Sequence, residues 1–160
     1  MKELVDIAER VAAQLIARKQ TIAVAESSAG GLISASLLAV PGASAYYLGG
    51  AVVYTRDARR VLMDISDDGM KGFRSSSEPY AQLLAEQMRS RFKCDWGLSE
   101  TGAAGPTGNR YGDAAGHSCM AVAGPATEVM TLETGSDDRF ANMQVFAATA
   151  LKLLLRKLEG

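Results

Sequence analysis

The residues best suited to chemistry in this sequence are polar groups placed where helices are predicted to begin. Ser27 and Ser28 follow a short apolar run, and Gly30 and Gly31 come soon after them. A helix N-terminus presents unpaired N–H groups and about half a positive charge, and glycines let a ligand approach the backbone closely. The turn therefore predicts a site for a phosphate or carboxylate. The alternative is that Ser28 is simply the N-cap of the next helix.

Arg139 is a second candidate, because it falls in the first turn of the predicted last helix. A cation at that end of a helix opposes the macrodipole, at a cost of roughly a few tenths of a kcal/mol. Such a placement indicates a bound anion. The alternative is that the adjacent Asp137 and Asp138 neutralise the guanidinium.

Several familiar catalytic arrangements are not recognisable in the sequence. His117 is the single histidine and lies in a predicted strand beside Ser118, and no GxSxG turn supplies the nucleophile of a Ser-His-Asp triad. The glycine-rich loop over 102–116 lacks the Gly-Lys-Ser/Thr ending of a P-loop, and no GxGxxG follows the first strand. Ser90 and Lys93 have S-x-x-K spacing, but without the partner motifs a surface pair on a helix is the favoured interpretation.

The elements that must position these groups alternate between helix and strand. Apolar residues at intervals of three and four predict an amphipathic first helix over 2–19. Residues 46–55 favour one strand, or two strands broken at Gly49-Gly50. The other patterns predict strands over 21–26, 96–101, 117–124 and 127–133. They also predict a helix that ends near 41, two helices over 57–63 and 80–92, and a last helix that follows 136–138. This order predicts a single α/β domain over 1–160, a three-layer α/β/α arrangement around a mixed β-sheet, with a purely parallel doubly wound sheet as the alternative.

Composition narrows the class of protein. The 17 basic and 18 acidic residues give a net charge of -1, so no overall field attracts polyanions, and nucleic acid is not an expected partner. Cys94 and Cys119 have no CxxC spacing and predict small buried side chains instead of a disulfide or zinc site. The charged start and the lack of an apolar run of about 20 residues predict no signal peptide and no membrane span. We expect a soluble cytoplasmic protein.

An ordered series of motifs resembles the CinA C-terminal family, whose enzymes include nicotinamide mononucleotide deamidases. The motifs are AESSAGG at 25–31, PGAS at 41–44, GGAVVYTRDAR at 49–59, SE at 77–78, TGAAGPTG at 101–108 and GSDDR at 135–139. Together they span nearly the whole chain. Each motif is weak alone, but their order is specific to the family.

The resemblance implies hydrolysis of a nicotinamide carboxamide to a carboxylate and ammonia, without a metal or another cofactor. By position, Ser44 would be the nucleophile, Tyr54 would orient it or exchange its proton, and Arg59 would stand at a catalytic lysine position. The resemblance implies substrate contacts from Ser27, Ser28, Gly30, Gly31, Thr101, Gly102 and Arg139. We expect a small pyridine nucleotide as the partner and a homo-oligomer as the assembly.

The sequence departs from the family's pattern at positions that bear on turnover. Ser28 and Ala29 stand where the first motif usually reads Cys-Thr, and the loop over 107–115 lacks the usual Asp-Gly-Gly and nearby proline. Arg59 replaces the lysine of active members, and a guanidinium keeps its proton and cannot act as a general base. If the family's lysine is the base, this chain should lose the roughly 100- to 10,000-fold that positioned base catalysis contributes. If the lysine only stabilises charge, Arg59 could substitute for it. Two alternatives stay open: a paralogue that binds a nucleotide without turnover, and an interaction domain.

Overall fold

A five-stranded mixed sheet organises the chain, and the computed structural model describes all residues from 1 to 160. The strands lie in the spatial order β2-β1-β3-β4-β5. In chain order they are β1 (Ile22–Glu26), β2 (Tyr47–Val52), β3 (Trp96–Ala103), β4 (His117–Ala123) and β5 (Glu128–Glu133). β1 pairs in parallel with β2 and β3, whereas β4 is antiparallel to β3 and β5. The mixed sheet predicted from the sequence is confirmed, and the purely parallel alternative is wrong.

Helices cover both faces of this sheet, which confirms the three-layer α/β/α prediction. The helices are α1 (Lys2–Arg18), α2 (Leu32–Leu38), α3 (Arg56–Met63), α4 (Glu78–Phe92) and α5 (Arg139–Glu159). The larger hydrophobic core joins α1, α2 and α5 to one face of the sheet, around the fully buried side chains of Trp96, Leu98 and Phe146. Burying one such side chain stabilises the fold by about 1.5–3 kcal/mol.

A second, smaller core lies on the opposite face, beneath α4. Leu84 and Met88 of α4 pack there with Met63 at the end of α3 and with Ala23 and Ala25 of β1. The predicted burial of both cysteines is confirmed, and both thiols are free. None of the five helices combines the length and apolar character that crossing a bilayer requires.

Side-chain caps fix where three of the helices begin. Thr55 accepts a hydrogen bond from the Ala58 N–H at the start of α3, and Ser77 accepts one from the Tyr80 N–H at the start of α4. Asp138 caps α5 in the same way. A cap of this kind contributes about 1 kcal/mol. The caps place the first residues of α3, α4 and α5 at one end of the sheet.

β2 runs as one strand through Gly49 and Gly50, which settles the choice between one strand and two. The backbone at Gly50 has no room for a side chain. A Cβ atom there would lie 2.5 Å from the Tyr47 hydroxyl oxygen and 2.8 Å from Ser34 Oγ. Gly50 therefore lets β2 continue beside α2, and Gly49 leaves room for the Phe92 ring of α4 on the opposite face.

Candidate functional site

A cleft of about 1100 Å³ opens at the carboxyl ends of β1, β2 and β3. Ser27 follows β1 directly, and Tyr54 lies two residues after β2. Thr101 and Gly102 are near the carboxyl end of β3, and all four residues line the cleft. From β1 the chain continues to β2, which lies on one side of β1 in the sheet, and later to β3, which lies on the other side of β1. Ligands of open α/β sheets bind in the crevice at such a point.

Arginine dominates the charged lining of the cleft. The five arginines on its wall outnumber the two aspartates, and no lysine or histidine lines it; these charged residues are Arg56, Arg59, Arg60, Arg74, Arg110, Asp57 and Asp67. An excess of fixed positive charge in a concave site attracts anions and raises their local concentration. Guanidinium groups are well matched to the paired oxygens of phosphate and carboxylate.

Arg59 is held by its own neighbours. Its side chain is buried, and the guanidinium donates to a carboxylate oxygen of Asp67 and, through Nε, to the Ile65 carbonyl at 3.3 Å. Arg60 contacts the same Asp67 at 3.7 Å. Arg59 therefore ties the segment after α3 to the cleft wall. The predicted catalytic position is in the cleft, but its charge is already paired.

Arg74 is likewise paired, through a two-pronged contact with Asp113. The two nitrogen–oxygen distances are 2.7 and 3.2 Å, and the guanidinium also lies 5.2 Å from the centre of the Tyr111 ring. Burial acts to raise the pKa of Asp113, but hydrogen bonds from Arg74 and Asn109 outweigh it and lower that pKa. The hydrogen bond to Asp113 raises the pKa of Arg74. This pair stabilises the wall formed by 74–76.

Three arginines at the cleft have no carboxylate partner within the chain. Arg56 and Arg110 line the cleft, and Arg110 lies 5.1 Å from the centre of the Tyr111 ring. Arg139 stands at the rim, where it donates to the Gly105 carbonyl and, at 3.1 Å, to the Tyr54 hydroxyl. The alternative that Asp137 or Asp138 neutralises Arg139 fails, since neither carboxylate forms an ion pair with it. These three cations can receive an anionic ligand.

Three hydroxyl groups face the same space. The half-buried Ser27 hydroxyl and the Tyr80 hydroxyl make no hydrogen bond within the chain, and Thr101 Oγ1 accepts one from the Ser76 N–H at 3.1 Å. Burial raises the pKa of Tyr80 to about 12, although the Arg59 charge opposes the shift. Because this pKa lies well above neutral pH, the Tyr80 hydroxyl keeps its proton and can donate it to a group in the cleft that it lines. Sequence reasoning missed Tyr80 because a tyrosine in the first turn of an amphipathic helix is typical of a core residue.

The turn after β1 is not the open anion site that its sequence predicts. Glu26 accepts hydrogen bonds from the backbone N–H groups of Gly31 at 2.9 Å, Ile33 at 3.1 Å and Ser34 at 2.9 Å. These are the N–H groups that begin α2, so a carboxylate of the chain already occupies the place of a phosphate. Burial raises the pKa of Glu26, against the lowering effect of these hydrogen bonds.

A second buried carboxylate, Glu100, holds the other half of this turn. Its Oε1 accepts from the Ser27 N–H at 3.1 Å and the Ala29 N–H at 2.8 Å, while the hydroxyls of Ser28 and Ser118 donate to Oε2. Burial is again the largest influence and raises the pKa of Glu100. Ser28 is therefore a buried internal donor. The alternative that it caps α2 is also wrong, because Gly31 occupies the N-cap position.

Gly30 and Gly31 serve the backbone of the same turn. Their φ angles of 67° and 100° lie in the left-handed region, which glycine adopts without strain. Neither glycine lines the cleft, and neither does Ser28. The prediction that Ser28, Gly30 and Gly31 contact the substrate is therefore corrected. These residues shape the turn from which Ser27 faces the cleft.

Ser44 is not brought to Tyr54 within the chain. It lies exposed in a short 3-10 turn, 43–45, ahead of β2, whereas Tyr54 follows the far end of that strand. The strand alone spans about 17 Å, since a strand rises about 3.3 Å per residue. The predicted contact between these two side chains is wrong inside one chain, because β2 separates them.

His117 is buried, and its hydrogen bonds link β5 to the segment 74–76 of the cleft wall. It is not part of a catalytic triad. Its Nδ1 contacts Glu133 Oε1 at 2.5 Å, its Nε2 contacts the Ser76 carbonyl oxygen at 2.7 Å, and Ser118 turns instead to Glu100. Burial lowers the pKa of His117, but the Ser76 and Glu133 oxygens outweigh it, and the net shift is upward. Two acceptor oxygens on the two ring nitrogens fit an imidazolium.

Fold and site together define an α/β protein with an arginine-lined cleft at the carboxyl ends of its parallel strands. Comparison with known proteins identifies the family: the profile of the CinA C-terminal domain matches residues 4–158. This chain belongs to the CinA C-terminal domain family.

Three relatives illustrate the likeness. A CinA-like protein of Gloeobacter violaceus is 36% identical over 154 residues, which cover 95% of this chain and 36% of that protein. A CinA superfamily protein from Klebsiella pneumoniae superimposes with a TM-score of 0.90 at 26% identity, covering 98% of both chains. One from Enterobacter cloacae gives 0.89 at 28% identity, covering 97% of this chain and 92% of that one. The chain spans only 25% to 36% of the length of the curated CinA-like proteins from Synechococcus, Gloeobacter and Prochlorococcus that it matches.

Proposed function

We propose that the cleft binds nicotinamide mononucleotide and that the protein hydrolyses its carboxamide to a carboxylate and ammonia. One observation carries the proposal: the unpartnered hydroxyl of Ser27 opens into a cleft whose charged lining is mainly arginine. The mononucleotide combines a phosphate with a carboxamide on a cationic ring. It therefore offers one group to the arginines and another to the serine.

The phosphate is the group that the free arginines suit. Arg56, Arg110 and Arg139 have no carboxylate partner, so a phosphate does not have to break an existing ion pair to bind them. Charge-assisted hydrogen bonds to phosphate are short and about twice as strong as neutral ones. The paired Arg59 and Arg74 then contribute more to the positive electrostatic potential of the cleft than to direct contacts with the phosphate.

The pyridinium ring fits the aromatic part of the lining. Phe73 and Tyr54 line the cleft with side chains 40% and 60% exposed. A cation over an aromatic face gains roughly 0.5–2 kcal/mol. These rings therefore favour a cationic nicotinamide ring over a neutral one.

The chemistry starts at Ser27. Its oxygen forms a bond to the carboxamide carbon, and the carbon–nitrogen bond then breaks. The serine proton leaves on the nitrogen as part of ammonia; Tyr54, which lines the same cleft, is the proposed carrier of that proton, and water hydrolyses the resulting ester. The Thr101 and Tyr80 hydroxyls supply donors for the oxyanion of the intermediate, a role that requires groups held in place beforehand.

Ammonia release from three substrates tests the proposal. We expect turnover of nicotinamide mononucleotide, with kcat/KM at least about 100-fold lower for nicotinamide riboside, because each lost charge-assisted hydrogen bond costs about 1.5–3 kcal/mol. Free nicotinamide should be poorer still. Equal rates with and without the phosphate would refute the role of the arginines, and no ammonia from any of the three would refute hydrolysis.

A second candidate function is nucleotide binding without turnover, and the state of Arg59 favours it. The guanidinium is paired with Asp67, cannot accept a proton, and occupies the position of the family's lysine. The variants Arg59→Lys and, as the matched control, Arg60→Lys separate the two functions. A rise in ammonia release of about 10-fold or more in Arg59→Lys alone supports hydrolysis. A thermal shift with the mononucleotide, but no ammonia from either variant, supports binding.

A further inference from the structure

The turn over 109–113, in the loop between β3 and β4, is closed by its own asparagine. Asn109 Oδ1 accepts hydrogen bonds from the Tyr111 N–H at 3.0 Å and from the Asp113 N–H at 3.1 Å. The Asn109 N–H also donates to the Asp113 carbonyl at 3.1 Å. An asparagine that bonds the backbone two residues on stabilises a turn by itself. The turn therefore has a defined shape, although Arg110 and Tyr111 at its tip are exposed.

The Asp113 carboxylate anchors this turn to the cleft wall. Asp113 Oδ2 accepts from Arg74 Nη1 at 2.7 Å and from Asn109 Nδ2 at 2.8 Å, and it lies 3.5 Å from Nε2 of the buried His117. The Asp113 side chain is only 14% exposed. Hydrogen bonds to a charged group are about twice as strong as neutral ones, so these contacts fix the base of the turn.

Arg110, at the tip of the turn, is held by the ring of Tyr111. Its Nη2 donates to the Tyr111 hydroxyl at 3.1 Å, and its guanidinium lies 5.1 Å from the centre of that ring. The hydrogen bond from Arg110 is the largest of the influences that lower the pKa of Tyr111. Because the partner is a phenol and not a carboxylate, the positive charge of Arg110 is not neutralised within the chain.

Arg110 is the one arginine lining the cleft that is both held in place and free of a carboxylate. The lining arginines that contact carboxylates are Arg59, Arg60 and Arg74. Arg56 lines the cleft too, but its side chain makes no hydrogen bond. Arg139 is held by neutral oxygens at the rim, where it already bonds the Tyr54 hydroxyl. A side chain that is ordered beforehand loses less entropy when a ligand binds, so Arg110 is the best prepared of these cations.

We propose that Arg110 selects ligands that carry a phosphate, and that Asn109 is the positioning residue that shapes the turn presenting Arg110 to the cleft. The inference rests on the proposed function, because it assigns the phosphate of the mononucleotide to one residue. After its bond to Tyr111, the guanidinium keeps most of its N–H donors for the phosphate oxygens. Arg56 and Arg139 then add positive potential around the same group.

Binding of the proposed product tests the assignment without turnover. Nicotinate mononucleotide and nicotinate riboside differ in the phosphate alone, and calorimetry, by displacement for the weaker ligand, gives the Kd of each. Arg110→Ala should raise the Kd of the mononucleotide about 10- to 100-fold, as expected for one or two charged hydrogen bonds, and that of the riboside less than about 3-fold. Arg10→Ala is the matched control, since Arg10 is exposed on α1 and contacts Glu159. An unchanged Kd for the mononucleotide in Arg110→Ala, or an equal rise for the riboside, would overturn the proposal.

A double-mutant cycle tests the positioning role of Asn109. Asn109→Ala removes the bonds that close the turn without changing any charge, so the Kd of the mononucleotide should rise about 5- to 10-fold. If Asn109 acts through Arg110, adding Asn109→Ala to Arg110→Ala should change that Kd by less than about 2-fold. A role in general stability predicts instead that the two effects multiply, and this outcome would overturn the positioning role.

Failure of the phosphate selection is distinguishable from failure of the proposed function. A wild type that releases no ammonia from nicotinamide mononucleotide refutes hydrolysis. In that case the binding of nicotinate mononucleotide, and its loss in Arg110→Ala, still decide the role of Arg110. A wild type that does not bind nicotinate mononucleotide overturns the selection.

Discussion

Arg139 donates a hydrogen bond from Nη2 to the hydroxyl of Tyr54 across 3.1 Å, although the two residues are 85 positions apart. Arg139 opens α5 and Tyr54 follows β2, so the bond joins two elements at the rim of the cleft. The other guanidinium nitrogen, Nη1, donates to the Gly105 carbonyl. The arginine thereby orients the tyrosine while its charge remains available to an anion.

Replacing Arg139 by alanine should weaken substrate use more than stability. The variant loses one cation for the phosphate and the partner that orients Tyr54, so we expect kcat/KM for the mononucleotide to fall about 10- to 100-fold, the value of one or two charged hydrogen bonds. Arg156→Ala is the matched control, since Arg156 is an exposed residue of the same helix that contacts Glu128. Steady-state ammonia release measures kcat/KM for both variants. Equal losses in the two variants would count against a specific role for Arg139.

Glu26 should be required in its carboxylate form to hold the start of α2. In Glu26→Gln the amide nitrogen replaces one acceptor, so at least one of three backbone N–H groups meets a donor instead. Leaving a buried donor unpaired costs about 1–3 kcal/mol, which urea unfolding can measure. Glu9→Gln, an exposed position of α1, should change the free energy of unfolding by less than about 0.5 kcal/mol. An unchanged stability in Glu26→Gln would contradict this account of the turn.

His117 should make stability depend on pH as the pH rises from about 6.5. Its pKa is raised in the folded protein because the Ser76 and Glu133 oxygens outweigh the effect of burial, so folding favours the imidazolium. This contribution is fully present below the unfolded pKa of about 6.5 and is lost as the pH rises through the raised folded value. The urea midpoint should therefore fall across that window in the wild type and fall less in His117→Gln. The same slope in both proteins would show that another group is responsible.

The layers of the fold were predictable because their signals are local. The three-and-four spacing of α1, the Ser77-Glu78-Pro79 entry to α4 and the turn at Gly124-Pro125 each act within a few residues. The turn at 124–125 predicts a hairpin of β4 and β5, and such an antiparallel pair distinguishes a mixed sheet from a purely parallel one.

The site was predictable only in part, because its decisive contacts are distant in sequence. Nothing near Ser27 and Ser28 shows that Glu100, more than 70 positions away, supplies the carboxylate that fills their turn. The sequence around Tyr80 does not indicate a cleft residue for the same reason, because its place in the cleft depends on the packing of α4 against β1. The separation of Ser44 from Tyr54 was foreseeable, since a single six-residue strand between them has a known length.

The central claim is that the Ser27 hydroxyl attacks a carboxamide bound in the arginine-lined cleft. The most direct measurement is ammonia release by Ser27→Ala under saturating nicotinamide mononucleotide, together with the thermal shift that the nucleotide induces. We predict that release falls by at least about 1000-fold while the thermal shift persists, because the arginines proposed to bind the phosphate are unchanged. Turnover at the wild-type rate in Ser27→Ala would contradict the claim.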